Sequence, residues 1–477
     1  MTTTKIAGAA WVAAWDANAG QHVYLRDVDV AFRDDRIIHV GDGFDEPADT
    51  IVDGSGLFVL PGLIDVHSHP STEPAARGIR EEHGVPEQFM TGLFERLQAF
   101  HLDADGQRAG AELALADLLC SGVTTVVDFM APYDGWIDLL ARSGLRGYAA
   151  PAYASAHWGM TAPQQLVYHW DEAAGRQGFE AALAVIEAAA NHPCGRLDGM
   201  FAPGQIDTCT EELLRDSLAE ARHQGRRITT HASQSVLEVR EIIQRHGVTP
   251  VQWAAEIGLV GPDVILAHVI FIDSHSSIHW HTRRDRDLLA ETGTTVAHCP
   301  LPFARYSEVL EDFGDYRGAG VRLAMGTDTF PHNMLEEMRF AGILGRIAAK
   351  NVLALSGADL LHAATIAGAE ALGRDDIGRI AVGAKADLVL VDTTHPAMMP
   401  ARDPLRSLIY SAAERAVRDV YVDGLQVVAG GRAAHLDPVE AAGRLADAQG
   451  RMIAEVPRLD YAGRTADQIA PLSLPLG

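Results

Sequence analysis

The chain has 477 residues, 47% hydrophobic and 22% charged, which is ample material for a large core and excludes wholesale disorder. A formal charge of -25 excludes a nucleic-acid backbone as partner, since such binding needs a basic surface, and favours a small-molecule ligand. Cys120, Cys194, Cys209 and Cys299 are scattered with no C-x-x-C pair, so neither a disulfide framework nor a thiolate zinc site is expected, and a reducing cytoplasm fits.

The N-terminal run "KIAGAAWVAAWDANAG" imitates a secretion signal, but it alternates like a strand and leads directly into "VYLRDVDVAFRDDRIIHVG". It is read as the start of a β meander rather than a cleaved segment. No uncharged stretch approaches the ~20 residues that a membrane-spanning helix needs, so no membrane partner is expected.

Residues 1–60 carry short alternating runs punctuated by Gly and Asp, the pattern of a small antiparallel sheet. From residue 61 to about 375 the texture changes. "GLIDVH", "TTVVDFM", "LRGYAAPAYA", "LDGMFAPG", "RRITTH", "DVILAH", "TTVAHCP" and "VRLAMGTD" read as eight buried strands, each followed by a helical pattern. That alternation predicts an α/β fold, a (β/α)8 TIM-type barrel. Strand texture returns over 376–432 in "ADLVLVD" and "VRDVYVDGLQVVAGG", ahead of a helical tail over 433–477. Two β segments at opposite chain ends each need cover for an apolar face. They are expected to pair into one small β-sandwich domain beside the barrel.

Active sites of such barrels gather at the C-terminal ends of the strands. There the chain places His67 and His69, one residue apart and hence on one side of an extended strand, then His231, His268, His298 and Asp328. Imidazole nitrogens and a carboxylate oxygen suit zinc or ferrous iron. A lone strand-end histidine is ordinarily a hydrogen-bonded rim residue, and an H-x-H pair can be a solvated turn. Histidines at four of eight strand ends, with an aspartate at the last, outweigh those readings.

"VLPGLIDVHSHP", "THAS", "VILAH", "TTVAHCP" and "MGTD", in this order, together resemble the amidohydrolase superfamily, in particular the branch of cytosine and guanine deaminases and triazine hydrolases such as atrazine chlorohydrolase. "DDRIIHVG" before the barrel and "VGAKADLVLVD" after it extend the similarity to nearly the whole chain. The resemblance implies that His67, His69, His231 and Asp328 hold one divalent metal ion, zinc or alternatively iron. It places His268 close enough to polarise water or substrate, and Asp328 as the nearest proton acceptor. No lysine occurs in "RLDGMFAPGQ", where two-metal relatives carry a bridging carboxylated lysine. A metal-dependent hydrolase is therefore expected, replacing an amino, alkylamino, halide or sulfur substituent of a nitrogen heterocycle. Hydrolysis of a cyclic amide, urea or thiourea carbonyl and a catalytically silent ligand-binding barrel are the alternatives. Related barrels are often homo-oligomers, so a homodimer or homotetramer is expected.

Two departures from that family pattern stand out. Its deaminases carry a glutamate three residues after the fifth-strand histidine, as a proton shuttle. This chain carries Gln234, which cannot act as a general acid near neutral pH. Either another group supplies the proton, with His268 and His298 ahead of His332 and His83, or the leaving group needs little protonation, or catalysis has been lost.

The second departure is "HCPLPFARYSEVL", where Phe303 and Ala304 stand in place of a common Ser-Asn. Phe303, Arg305 and Tyr306 become candidates for substrate contact, alternatively with Phe303 a barrel cap and Arg305 paired with Glu308. Other candidates are His157 and Trp158 after the third strand, and Glu73, with Arg77, Arg80 and His83, in the loop after the first. The insertion "DSHSSIHWHTRRDRD" brings His275, His279, Trp280 and His281. It is read as a mobile polar loop rather than a second metal site.

Overall fold

The computed structural model describes residues 1–79 and 82–477; Arg80, expected in the loop after the first strand, lies outside the described residues. Eight parallel strands in chain order carry the α/β region: Leu63–Ser68, Val123–Met130, Arg146–Tyr153, a fourth split into Leu197–Gly199 and Ala202–Pro203, then Ile228–Ala232, Val264–His268, Thr295–His298 and Arg322–Met325. Their side chains are almost entirely buried on both faces, which is why the sequence runs are continuously apolar.

Strands one to four form one parallel sheet and strands five to eight another. Parallel bridges join the sheets at both seams. Ser68 bridges Asp328 at one, while Phe201 bridges Ile228 and Gln205 bridges His231 at the other. Backbone hydrogen bonds from Asp328 N to His67 O at 2.8 Å and from Ile206 N to His231 O at 3.0 Å reinforce them. At the first seam Gly326 is required: a Cβ there would lie 2.9 Å from both His67 O and Cys299 Sγ.

The strand after residue 156 differs from the expected pattern. Instead of passing directly into a helix, the chain makes a hairpin, Ala156–Ala162 with Gln165–Trp170, before the helix Glu172–Ala190. The β-formers of "AHWGM" and "QLVYHW" flanking Ala-Pro-Gln are the overlooked signal.

The chain ends come together. Leu388–Asp392 pairs antiparallel with Leu57–Pro61 in a seven-stranded sheet, and a four-stranded sheet built from Thr3–Ala9, Val28–Arg33, Arg36–Gly41 and Thr50–Asp53 packs against it. Ile6, Val30 and Phe32 meet Val12, Val59 and Leu388 between the two sheets. Buried Arg146, from the third parallel strand, reaches Asp387 and Asp423 and so ties the two regions. The C-terminal helix Pro438–Leu459 lays Ala441, Leu445 and Met452 on Ala109 and Leu113 of the helix Ala104–Cys120. Among the described residues no helix is long and apolar enough to cross a membrane.

Candidate metal centre and its cavity

Ligand atoms of His67, His69, His231 and Asp328 lie within 4.8 Å of one another. His67 Nε2 and His69 Nε2 stand 3.4 Å and 3.3 Å from Asp328 Oδ1. His69 Nδ1 donates to Phe129 O at 2.7 Å and His231 Nδ1 to Gly204 O at 2.6 Å. Each ring therefore keeps its proton on Nδ1 and turns the Nε2 lone pair inward, and the two Nε2 atoms are 3.1 Å apart. Buried His67 has no hydrogen-bond partner on either ring nitrogen. Converging lone pairs, a carboxylate and an unpartnered imidazole fit a divalent cation on chemical grounds.

Four non-glycine residues at or beside the centre have left-handed backbone. His268, Val269 and Asp328 have φ of 78°, 44° and 56°, and Ser233, beside Gln234, has φ 53°. Non-glycine residues in this region are held there by their surroundings, commonly at functional sites.

His268 packs its ring 4.9 Å from that of His67, 5.3 Å from that of His231 and 4.4 Å from Phe303. His298 is buried, its ring 5.4 Å from Phe313, and burial holds its pKa down at about 4, so it is neutral near pH 7. His332 is fully buried, with neither ring nitrogen hydrogen-bonded, and burial holds it at about 3. His83 lines a separate recess with Tyr306 and Ser307.

A cavity of about 270 Å³ opens over His69, His231 and Asp328. Met90, Leu93, Phe129, Met130 and Phe303 make its apolar wall, and Glu73, Trp158, Gln234 and Arg305 also face it. Glu73 and Arg96 form a buried pair there, with Arg96 Nη1 3.1 Å from Glu73 Oε2. Trp158 Nε1 donates to the fully buried Asp207 at 3.0 Å, which fixes the indole in the wall. His157 lies elsewhere: it stacks on His169 at 4.9 Å and lines a second cavity that shares Trp158 and Gln205 with the first.

The Arg305–Glu308 pair is not formed. Arg305 instead donates to Phe330 O and to Thr329 Oγ1 and lies 4.2 Å over the Phe330 ring, while both Glu308 carboxylate oxygens are buried without a hydrogen-bond partner. A guanidinium fork finds a carbonyl, a hydroxyl and an aromatic face in one place, and one carboxylate does not compete with all three. Arg77 pairs with Asp117.

The insertion after the sixth strand is pinned: Asp273 Oδ2 accepts from Thr282 Oγ1 at 2.7 Å and from Arg284 N at 2.5 Å. His275 packs on Phe271 and Trp280 on His281. Among the described residues no second group of three or more metal-binding side chains converges.

Gln205, which sequence reasoning did not single out, is the main addition. It lines the cavity and accepts a 2.8 Å hydrogen bond from Gln234 Nε2. Its sequence signal is its place directly after "FAPG", a polar residue at the C-terminal end of the fourth strand, where barrel active sites gather.

The amidohydrolase family model matches residues 58–427. A 5-methylthioadenosine/S-adenosylhomocysteine deaminase of Haloarcula marismortui is 32% identical over 392 residues, covering 81% of this chain and 85% of the relative. Two solved structures share the fold. An adenosine deaminase from Xanthomonas campestris with bound zinc has a TM-score of 0.80 at 24% identity, covering 94% of this chain and 98% of the other. Atrazine chlorohydrolase from Arthrobacter aurescens complexed with zinc has a TM-score of 0.78 at 23% identity, covering 94% and 100%. The chain belongs to the amidohydrolase family. It is a hydrolase with the residues of a metal centre in place.

Proposed function

We propose that the chain uses one zinc ion, held by His67, His69, His231 and Asp328, to replace an amino, alkylamino, halide or sulfur substituent of a nitrogen heterocycle by hydroxyl. The observation that carries this reading is the convergence of the ligand atoms of those four side chains within 4.8 Å, with His69, His231 and Asp328 lining an apolar cavity. The nitrogen heterocycles named for the related deaminases and chlorohydrolase support the substrate class, and the zinc named with both structural neighbours supports the ion. The two sheets bridged at both seams are read as one closed (β/α)8 barrel, residues 61–375, beside a composite β-sandwich domain formed by 1–60 and 376–432.

When bound, a zinc ion there supplies Lewis acidity that brings the pKa of a coordinated water to about 7. The protein supplies the rest. Asp328 is the nearest carboxylate to accept a proton from water, and His268 polarises the reacting carbon's substituent. Phe303, Phe129 and Trp158 exclude water and enclose a planar ring, which strengthens each polar contact made inside. Neutral Gln234 and neutral His298 argue for a leaving group that departs with little protonation, such as halide or thiolate. An amine would have to take its proton back from Asp328, which accepts it from water, or from water itself.

Four unpaired cysteines suit the cytoplasm, and the exposed Ile343, Ile347, Val352 and Leu353 offer an apolar surface for a homo-oligomer. The test is zinc loading followed by assays for halide, ammonia, amine and sulfide release from substituted triazines, pyrimidines and purines. Metal-dependent release of one of these is expected. Metal-free protein that binds the heterocycles as well as the loaded form does, with no release from either, would leave only a ligand-binding barrel.

A further inference from the structure

Gln205 and Gln234 reach the cavity from neighbouring strand ends, and Gln234 Nε2 donates to Gln205 Oε1 at 2.8 Å. Each primary amide carries one acceptor oxygen and one NH2 group. Two amides joined head to tail therefore leave one oxygen and one NH2 for a third partner, whichever of them donates. Among the described residues neither amide makes another side-chain hydrogen bond.

Both amides are held at the backbone. Gln205 bridges His231 across the seam, and Ile206 N donates to His231 O at 3.0 Å. The fully buried Glu238 carboxylate accepts from Ser233 N at 2.5 Å and Gln234 N at 2.8 Å, fixing the turn on which Gln234 sits. The surrounding wall is apolar, with Leu93, Phe129, Met130 and Phe303 in it. A ligand that covers the amide pair without matching it strands two polar groups away from water, and such groups discriminate strongly between otherwise similar ligands.

We infer that Gln205 and Gln234 form a neutral recognition clamp for a heterocycle presenting an adjacent donor and acceptor, the H–N–C=O edge of a lactam or the H–N–C=N edge of an amino-substituted azine. Gln205 is thereby a specificity-determining residue. The inference rests on the heterocycle-hydrolase reading above and narrows its substrate class. It also explains why an amide occupies position 234: a carboxylate there would favour a protonated ring, whereas the amide pair selects an uncharged one.

Two pairs of probes differing only in N–H against O test it on the zinc-loaded protein. One pair is a chloro-bis(ethylamino)-s-triazine and its bis(ethoxy) counterpart. The other is N6-methyladenosine and 6-methoxypurine riboside. Dissociation constants come from calorimetry, and kcat/KM from chloride, methylamine or methanol release wherever turnover occurs. For at least one ring system the N–H member is expected to be favoured about tenfold or more by the wild type, with the preference falling to about threefold or less in Gln205→Met. Gln234→Leu, which unpairs the same clamp from the other side, serves if Gln205→Met does not fold. Equal handling of both members by the wild type, or a preference that survives in the variants, overturns the clamp and leaves the hydrolase reading intact. Loaded protein that neither binds nor turns over any of the four probes overturns both.

Discussion

His69 and His231 face each other with their Nε2 atoms 3.1 Å apart, and each ring is locked from behind by a backbone carbonyl, Phe129 O and Gly204 O respectively. Two imidazole lone pairs aimed at one point repel each other unless a cation lies between them. The carbonyl locks set that arrangement during folding, so metal binding and stability are linked. Thermal unfolding followed with a chelator, and again after zinc is restored, should show a lower midpoint without metal and recovery with it. Zinc at about a thousand times its Kd corresponds to roughly 4 kcal/mol. An unchanged midpoint would mean that the site does not bind zinc in the folded state.

Gln234 sets the proton economy of the site. Gln234→Glu places a titratable acid beside His231 and is expected to raise turnover of amine-leaving substrates by about 10²–10⁴, with a much smaller effect where halide leaves. His298→Ala should change kcat by less than about tenfold, because burial keeps that ring neutral near pH 7 and it cannot donate a proton there. Steady-state kinetics on a matched amino and chloro heterocycle separate the two effects. A large loss in His298→Ala with no gain in Gln234→Glu would transfer the proton role to His298.

The buried pair Glu73–Arg96 stands in the cavity wall, and both residues are less than a tenth exposed. Removing one partner strands the other charge. Arg96→Leu is expected to cost about 3–5 kcal/mol in chemical denaturation, and the double variant Arg96→Leu/Glu73→Leu to recover most of it. A double variant as unstable as the single one would show that the arginine acts through packing rather than charge.

Asp285 is fully buried, and burial together with the neighbouring Asp273 raises its pKa from 3.8 to about 6. The folded state therefore holds this proton more tightly than the unfolded chain does. The resulting stability is complete below about pH 4 and is lost as pH rises through 6, on the order of 3 kcal/mol by linkage. Melting curves between pH 4 and 7 should slope downward more steeply for the wild type than for Asp285→Asn. Parallel slopes would remove Asp285 as the source of the dependence.

The strand-end metal donors were legible because each closes a continuous apolar run, a local pattern that needs no tertiary information. His67 and His69 on one strand, and His231, His268 and Asp328 on others, lie close together because parallel strands bring their C-terminal ends to one face. Partnerships across the chain were not legible in this way. Helical spacing offers Glu308 as an alternative partner for Arg305, yet Arg305 finds Phe330 and Thr329, a contact set by how the eighth strand's loop folds back. Gln205 was passed over because the fourth strand is broken into two short pieces and carries no motif. The hairpin at 156–170 was hidden because eight alternating units led each connection to be read as a helix. His157 follows from that: pairing with His169 across the hairpin takes it to the second cavity.

The most direct measurement is the metal content of the purified protein, by elemental analysis after zinc loading and desalting, for the wild type, His231→Ala and Asp328→Ala, with hydrolysis assayed on the same samples. One equivalent of zinc in the wild type, and near-complete loss of both metal and turnover in each variant whose circular dichroism is unchanged, is the expected result. Equal zinc content in all three proteins, or turnover that persists without metal, would contradict a hydrolytic centre built on His67, His69, His231 and Asp328.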